Sequence, residues 1–214
     1  ETRLLYLDNL RALAIVGVVT IHVSGVLLYQ FGTLSSFDWW VGHIVDSAVR
    51  GSVPLFAMIT GTLLLQDDDG TIRFYRHRFM RLIPPFIFWA LVYIIFNISG
   101  RIIHDTNFHP SQIPSLVWIQ ITKGISPHFW FIYLILGIYL LIPLLRRFIH
   151  YAGEQGVTVF LGVWFCLLLA WFAFPSIFIP GSYLMYVAGF IGYPVLGYYL
   201  SVHLFGKNKQ RELI

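Results

Sequence analysis

Three ionisable residues lie along one face of the first long hydrophobic segment of this 214-residue chain. Arg11 and His22 are about three helical turns apart, so in a helix both line one stripe roughly 16 Å long. Asp8 falls within about 60° of that stripe, one turn before Arg11. Ionisable side chains in a membrane cost about 2.5–3.5 kcal/mol at mid-span and usually face a protein interior or a water-filled cavity. The pattern leaves two roles open for His22: a general base that accepts a hydroxyl proton, or a histidine that only hydrogen-bonds a neighbouring helix.

A second candidate site is the densest basic cluster of the chain, between Arg73 and Arg81. Arg78 and Arg81 are one helical turn apart, so both can reach the same phosphate group. Guanidinium groups suit the phosphates of a nucleotide-bearing cofactor, and the interleaved aromatic residues can stack on its base. Anionic lipid headgroups would suit the same cluster, and arginines at the end of a span also fix membrane topology.

The composition indicates an integral membrane protein. Hydrophobic residues make up 57% of the chain and charged residues 11%, whereas soluble domains average about 25% charged residues. The net charge of +4 resides mainly in short loops between apolar segments, as membrane topology requires, and does not indicate nucleic-acid binding. The single cysteine, Cys166, excludes an intrachain disulfide and a multi-cysteine metal site.

Six hydrophobic segments predict an all-α, polytopic transmembrane helix bundle. Their approximate bounds are 10–29, 50–66, 82–98, 129–145, 157–174 and 184–204. The first lacks an early basic run and a cleavage site, so it is predicted to be a retained helix. If the N terminus is cytoplasmic, every basic residue except Arg50, Arg101 and Lys123 lies inside, and the positive-inside rule therefore predicts that orientation.

Two stretches are then predicted on the outer side. The Trp-rich stretch 37–46 is amphipathic, and it is either an interfacial helix or an extension of the second span. The loop 99–128 contains several histidines beside Asp105, but their spacings match no metal-binding signature. The sequence therefore predicts no metal site, and favours a polar loop over a membrane cavity.

Four ordered blocks between residues 6 and 147 resemble the signatures of the membrane acyltransferase-3 family. The blocks are 6–14 followed by His22, 53–61, 74–84 with its Arg-x-x-Arg pair, and 128–133 with 139–143. The last block is similar to the branch of O-acetyltransferases that act on bacterial surface glycans. The remainder of the chain matches the family only in its hydrophobic pattern.

The resemblance implies a multi-pass enzyme of the bacterial inner (cytoplasmic) membrane, with one acyltransferase domain over residues 1–214. Such enzymes move an acetyl or other acyl group from cytoplasmic acyl-CoA to a hydroxyl of a cell-surface or lipid-linked saccharide. By position, His22 corresponds to the family's essential histidine and Arg11 to its partner, while Arg78 and Arg81 match the pair on the CoA side. Because the family's bundles are usually larger, the chain is expected to be incomplete at its C terminus.

On this interpretation, His22, Arg11 and Asp8 carry catalysis. Arg76, Arg78 and Arg81 bind acetyl-CoA, and His128 and Trp130 line the acceptor site or belong to an interfacial aromatic belt. The sequence leaves open direct transfer or an acyl-histidine intermediate, and whether Arg11 orients Asp8 or contacts the CoA phosphates. It also leaves open a longer acyl donor and a homodimer. The alternative function is a transporter or channel with Arg11 and His22 lining a polar pathway and membrane lipids bound at the basic cluster.

Overall fold

The computed structural model describes residues 5–67, 70–105, 108–174 and 188–203, and all regular structure within them is helical. The helices are α1 (Leu5–Leu28), α2 (Ser36–Val49), α3 (Ser52–Leu64), α4 (Thr71–His104), α5 (Ile113–Lys123), α6 (Trp130–Ala173) and α7 (Gly192–His203). Short 3₁₀ turns, Pro110–Gln112 and Pro127–Phe129, precede α5 and α6. For these residues the predicted all-α class is confirmed.

Four helical stretches among the described residues are long and apolar enough to cross a membrane. They are Leu5–Leu28, Ser36–Leu64, Thr71–His104 and Trp130–Ala173. Since α2 and α3 together form the second stretch, the Trp-rich residues 37–46 lie within it, which fits one of their two predicted roles, an extension of the second span. Large apolar side chains such as Val16, Val23 and Phe96 are well exposed on these helices. An apolar outer surface of this extent is suited to lipid and unsuited to water.

The 44-residue helix α6 would be about 66 Å long if it were straight, roughly twice the hydrocarbon thickness of a bilayer. Gly153, with φ 63° and ψ −170°, interrupts its helical geometry, in a region of backbone space that favours glycine. The interruption falls between the predicted fourth and fifth spans. Of the predicted sixth span, 184–204, residues 184–187 and 204 lie outside the described residues, and α7 forms most of the rest. The count of six spans and the cytoplasmic N terminus remain predictions.

The chain forms two compact units, residues 1–68 with 141–214, and residues 69–140. In the first unit, α1 packs against both α2 and α3. The buried residues on its contact face are Leu7, Ala14, Gly17 and Ser24. Three of the four are small, which lets the helix backbones approach closely, as is common between membrane helices.

Helices α3 and α7, also in the first unit, make the most extensive helix–helix contact among the described residues. A Cβ atom added at Gly61 would overlap the backbone of Pro194, and one added at Gly197 would overlap the backbone of Met58. The hydroxyl of Thr62 donates a hydrogen bond of 3.0 Å to the carbonyl oxygen of Gly197. The contact therefore depends on glycine at both positions.

The second unit contains α4, α5 and the start of α6. Ala90, Ile125 and Phe129 form its buried cluster, with Phe86 and Tyr93 among the side chains packed around it. The amide nitrogen of Asn97 on α4 donates to Gln120 Oε1 at 2.7 Å and to the carbonyl oxygen of Ile125 at 3.2 Å. These bonds tie α4 to α5 and to the segment that leads into α6.

Candidate functional site

Asp8 and Arg11 form an ion pair on the first turns of α1. Arg11 Nη1 donates to Asp8 Oδ1 at 3.2 Å, and the two side chains are 29% and 42% exposed, Asp8 being the less exposed. The pair is three positions apart, a spacing that places both side chains on the same side of a helix. Of the two roles that the sequence left open for Arg11, contact with a carboxylate is the one seen in this geometry.

His22 lies on the same helix, about 16 Å along the axis from Arg11, and its side chain is exposed. The packed face of α1 is centred near Ala14 and Gly17, and the stripe of Arg11 and His22 lies roughly 100° around the helix from that centre. The polar stripe thus borders the packed face without entering it. An imidazole in this position is accessible to a substrate, as a base or a nucleophile must be.

The basic cluster occupies the first three turns of α4. The guanidinium groups of Arg76, Arg78 and Arg81 have no carboxylate partner among the described residues, and α4 itself contains no Asp or Glu. The positive end of a helix dipole is its N-terminus, so the dipole adds to the charge of the arginines. The arginines and the dipole both favour anions at this end of α4, phosphate groups in particular, and the three aspartates at 67–69 that directly precede the helix in the sequence oppose them.

The three predicted cofactor-binding arginines do not lie on the same face of α4. Arg78 and Arg81 are about 60° apart around the helix, whereas Arg76 and Arg78 are about 160° apart. Arg78 is half-buried, and Arg76 and Arg81 are exposed. Arg78 and Arg81 can thus hold one phosphate together, while Arg76 lies on the far side of the helix from Arg78.

Phe74 and Tyr75, two aromatic residues of the cluster, pack against other residues of the second unit. Phe74 is 2% exposed, lies edge-on to Tyr139 with the ring centroids 6.3 Å apart, and has the guanidinium carbon of Arg78 6.0 Å from its ring centroid. Tyr75 donates a hydrogen bond of 2.8 Å to the carbonyl oxygen of Leu140. Because Phe74 is buried, it is not accessible to a nucleobase; instead it supports Arg78 through a cation–π contact.

His128 and Trp130 flank the start of α6, and both are half-buried. The Nδ1 atom of His128 lies 3.1 Å from the hydroxyl of Ser126, and its ring packs on Tyr93 with the centroids 4.8 Å apart. Trp130 packs edge-on against Phe131. The contact with Tyr93 places His128 beside the core of the second unit, and the predicted acceptor-binding role of both residues stays a prediction.

Two polar pairs that the sequence analysis did not single out lie outside the predicted site. Asp46 on α2 is 1% exposed and pairs with Arg50; the only sequence signal for this was the four-residue spacing of the two charges. Asn97 and Gln120 pair between α4 and α5, with Arg101 beside them. Nothing local in the sequence identifies that pairing, because it depends on how α5 packs.

In residues 5–67, 70–105, 108–174 and 188–203, no three of His, Cys, Asp and Glu come close enough to hold a metal ion. His104, Asp105, His109 and His128, which the sequence places in one loop, therefore do not assemble within the described part of the chain.

Comparison with known proteins gives one match. A family model described as an acyltransferase domain matches residues 4–213, which is almost the entire chain. The searches of curated proteins and of solved structures found no match.

Proposed function

The chain belongs to the acyltransferase-3 family, and from this premise we propose that it transfers an acetyl or other acyl group from acyl-CoA to a saccharide hydroxyl. The donor is bound on the cytoplasmic side of a bacterial inner membrane, and the acceptor is a cell-surface or lipid-linked glycan. The observation that carries the proposal is the group of arginines at the start of α4, which have no carboxylate partner in the part of the chain that the structure describes. Acyl-CoA carries several phosphate groups, and these arginines suit them.

His22 acts as the general base in this proposal. Its imidazole takes the proton of the acceptor hydroxyl while the hydroxyl oxygen attacks the thioester carbonyl, and the C–S bond then breaks. The resulting imidazolium returns the proton to the departing CoA thiolate. The alternative sequence passes the acyl group through His22 as an acyl-imidazole before the hydroxyl accepts it. Neither route requires a metal ion, because a thioester is already activated for acyl transfer.

The ion pair of Asp8 and Arg11 supports a positioning role for Arg11. A guanidinium that already bonds a carboxylate at 3.2 Å has part of its charge compensated, and its remaining N–H groups can donate to substrate. Arg78 and Arg81 hold the CoA phosphates, and Arg76 adds positive charge from the other side of α4. His128 and Trp130 are the proposed acceptor-side residues.

The membrane arrangement is part of the same proposal. The positive-inside rule places the N terminus and the start of α4 in the cytoplasm, so the arginines meet acyl-CoA where it is made. Six spans across residues 10–204, including two within α6 on either side of Gly153, give a multi-pass protein of the inner membrane.

The test is a transfer assay with labelled acetyl-CoA, membranes that contain the full-length protein, and a glycan fraction as acceptor. We expect the His22→Ala variant to lose about 10²-fold or more of the transfer rate, the scale of general acid–base catalysis. His150→Ala is the matched control, because His150 is also exposed on a helix, with its ring edge-on to Tyr151. If the wild type transfers no label while His22→Ala alters solute flux, the protein is a transporter. If both proteins transfer equally, the role of His22 is wrong.

A further inference from the structure

A cavity of about 320 Å³ lies between the second half of α4 and α5. Its lining residues are Asn97, Ile98, Arg101, Leu116, Ile119 and Gln120. All of them belong to the second unit, and none is among the residues of the proposed catalytic site. The volume is at the lower end of the range for small-ligand sites, about 300–1,000 Å³, which is space for a single sugar ring and little more.

The orientation of the two amide groups in this cavity is fixed by their surroundings. The carbonyl oxygen of Ile125 can only accept a hydrogen bond, so the group of Asn97 that faces it at 3.2 Å must be its NH₂. The same NH₂ donates to Gln120 at 2.7 Å, so Gln120 must present its oxygen to Asn97. It follows that Gln120 directs its own NH₂, and Asn97 its carbonyl oxygen, away from this bond.

Arg101 supplies the charge of the cavity. It follows Asn97 by one helical turn, on the same face of α4, and it has no ion-pair partner in the part of the chain that the structure describes. The lining residues therefore include a guanidinium and an amide NH₂ that can donate, and one amide oxygen that can accept. An oxyanion suits the two donors, and a neighbouring hydroxyl suits the acceptor.

We propose that the cleft between α4 and α5 binds a sugar residue that carries a carboxylate, with the carboxylate on Arg101 and Gln120 and a ring hydroxyl on Asn97. The inference rests on the proposed function, because it assigns the acceptor glycan to the acidic class. On the predicted topology, Arg101 lies at the outer side of the membrane, where a surface glycan is available. The apolar residues Leu116 and Ile119 then cover the less polar face of the ring.

The experiment measures binding in the absence of any acyl donor. The full-length protein in detergent is titrated with a glucuronic-acid disaccharide and with the neutral glucose disaccharide of the same linkage. We expect the acidic disaccharide to bind about tenfold more tightly or better. Arg101→Gln should abolish that preference, and Arg101→Lys should retain part of it, since a lysine keeps the charge but loses the fork geometry. Arg147→Gln, which removes an exposed arginine from α6, should leave the preference unchanged.

Every other result of the binding titration overturns the proposal. Equal binding of the two disaccharides, or an acidic preference that survives in Arg101→Gln, would mean that the cleft does not select a carboxylate. A phosphatidylglycerol preference in nanodiscs that depends on Arg101, with no preference between the sugars, would assign the cleft to a lipid headgroup. Because this titration contains no donor, its result is independent of transfer. If the acidic disaccharide binds through Arg101 but the separate assay with labelled acetyl-CoA gives no transfer, the proposed function fails and the cleft assignment stands. Transfer to a neutral glycan, together with equal binding of the two disaccharides, would refute the cleft assignment and leave the proposed function intact.

Discussion

The Nε atom of Arg50 donates a hydrogen bond of 2.6 Å to Oδ2 of Asp46, which connects a buried carboxylate to a side chain that is 68% exposed. Asp46 lies on the face of α2 that packs on α1, and its other oxygen lies 3.4 Å from the hydroxyl of Ser24. The two partners are therefore unequal. Arg50 can be hydrated without Asp46, whereas Asp46 without Arg50 would be a buried charge with one weak hydrogen bond.

Because Asp46 is buried and Arg50 is exposed, we expect the two corresponding substitutions to lower the stability by different amounts. Arg50→Gln should lower the free energy of unfolding by about 1–3 kcal/mol, the scale for a buried charged group that loses its partner. Asp46→Asn should cost less, because the amide is neutral and can still bond Ser24. Apparent melting temperatures in detergent, followed by tryptophan fluorescence, measure both.

Arg147→Gln is the charge-matched control for this pair, because Arg147 is exposed, and it should melt within the error of the wild type. A loss in Asp46→Asn that equals or exceeds the loss in Arg50→Gln would contradict the argument. Stability would then come from the fit of the carboxylate between α1 and α2 and not from compensation of its charge.

The contact between α3 and α7 predicts strong intolerance of a single methyl group. Gly61→Ala and Gly197→Ala would each place a Cβ against the backbone of the facing helix, and a backbone, unlike a flexible side chain, cannot turn aside. We expect each to lower the free energy of unfolding by about 1–3 kcal/mol, the cost of overpacking. Gly162→Ala is the control, since nothing lies within 4 Å of its added Cβ, and thermal unfolding in detergent compares the three. Equal melting of all three variants would mean that α3 and α7 can separate without cost.

Local features of this fold could be predicted from the sequence, whereas contacts between distant parts of the chain could not. The stripe of Asp8, Arg11 and His22 was predictable because helical periodicity alone sets which side chains share a face. The bond between Thr62 and Gly197 joins residues 135 positions apart, and no periodic pattern indicates which helix will be the partner. The cleft at Arg101 was missed for the same reason.

The role of Phe74 shows a second limit. As one of several aromatic residues among arginines, it suggested a platform for a nucleobase, but the structure buries it against Tyr139. An aromatic side chain on an amphipathic surface serves packing or ligand stacking according to what lies opposite, and only the fold determines that. The role of the arginines stays a prediction, and the structure adds that α4 itself contains no carboxylate.

The geometry of α4 predicts different kinetic effects for its three arginines. Arg78→Gln and Arg81→Gln should each raise KM for acetyl-CoA about tenfold with little change in kcat, because a lost phosphate contact weakens binding of the ground state and the transition state equally. Arg76→Gln should change KM by less than about threefold, since its side chain leaves the helix on the other side from Arg78. Steady-state kinetics over a range of acetyl-CoA concentrations measure all three.

Arg147→Gln serves again as a control for the loss of one positive charge near the membrane. A KM increase in Arg76→Gln as large as that in Arg78→Gln would show that the cluster acts through its overall charge, and not through a phosphate held between Arg78 and Arg81. A high salt concentration should then reduce the effects of all three substitutions to a similar extent.

The ion pair of Asp8 and Arg11 predicts that the two residues act as one unit. Asp8→Asn and Arg11→Gln should each lower kcat by about tenfold, and the double variant should be no slower than the slower single variant, because either change already breaks the contact. Asp38→Asn, at an exposed carboxylate that bonds Ser35, should leave kcat unchanged. If the decrease in kcat of the double variant equals the product of the two single decreases, the residues act independently. An increase in KM for acetyl-CoA in Arg11→Gln, without a loss of kcat, would show that Arg11 leaves Asp8 to bind the donor phosphates. Whether Arg11→Gln changes kcat or KM therefore distinguishes the two roles of Arg11, pairing with Asp8 and binding the donor phosphates. The pairing role requires the contact at 3.2 Å to persist during the reaction.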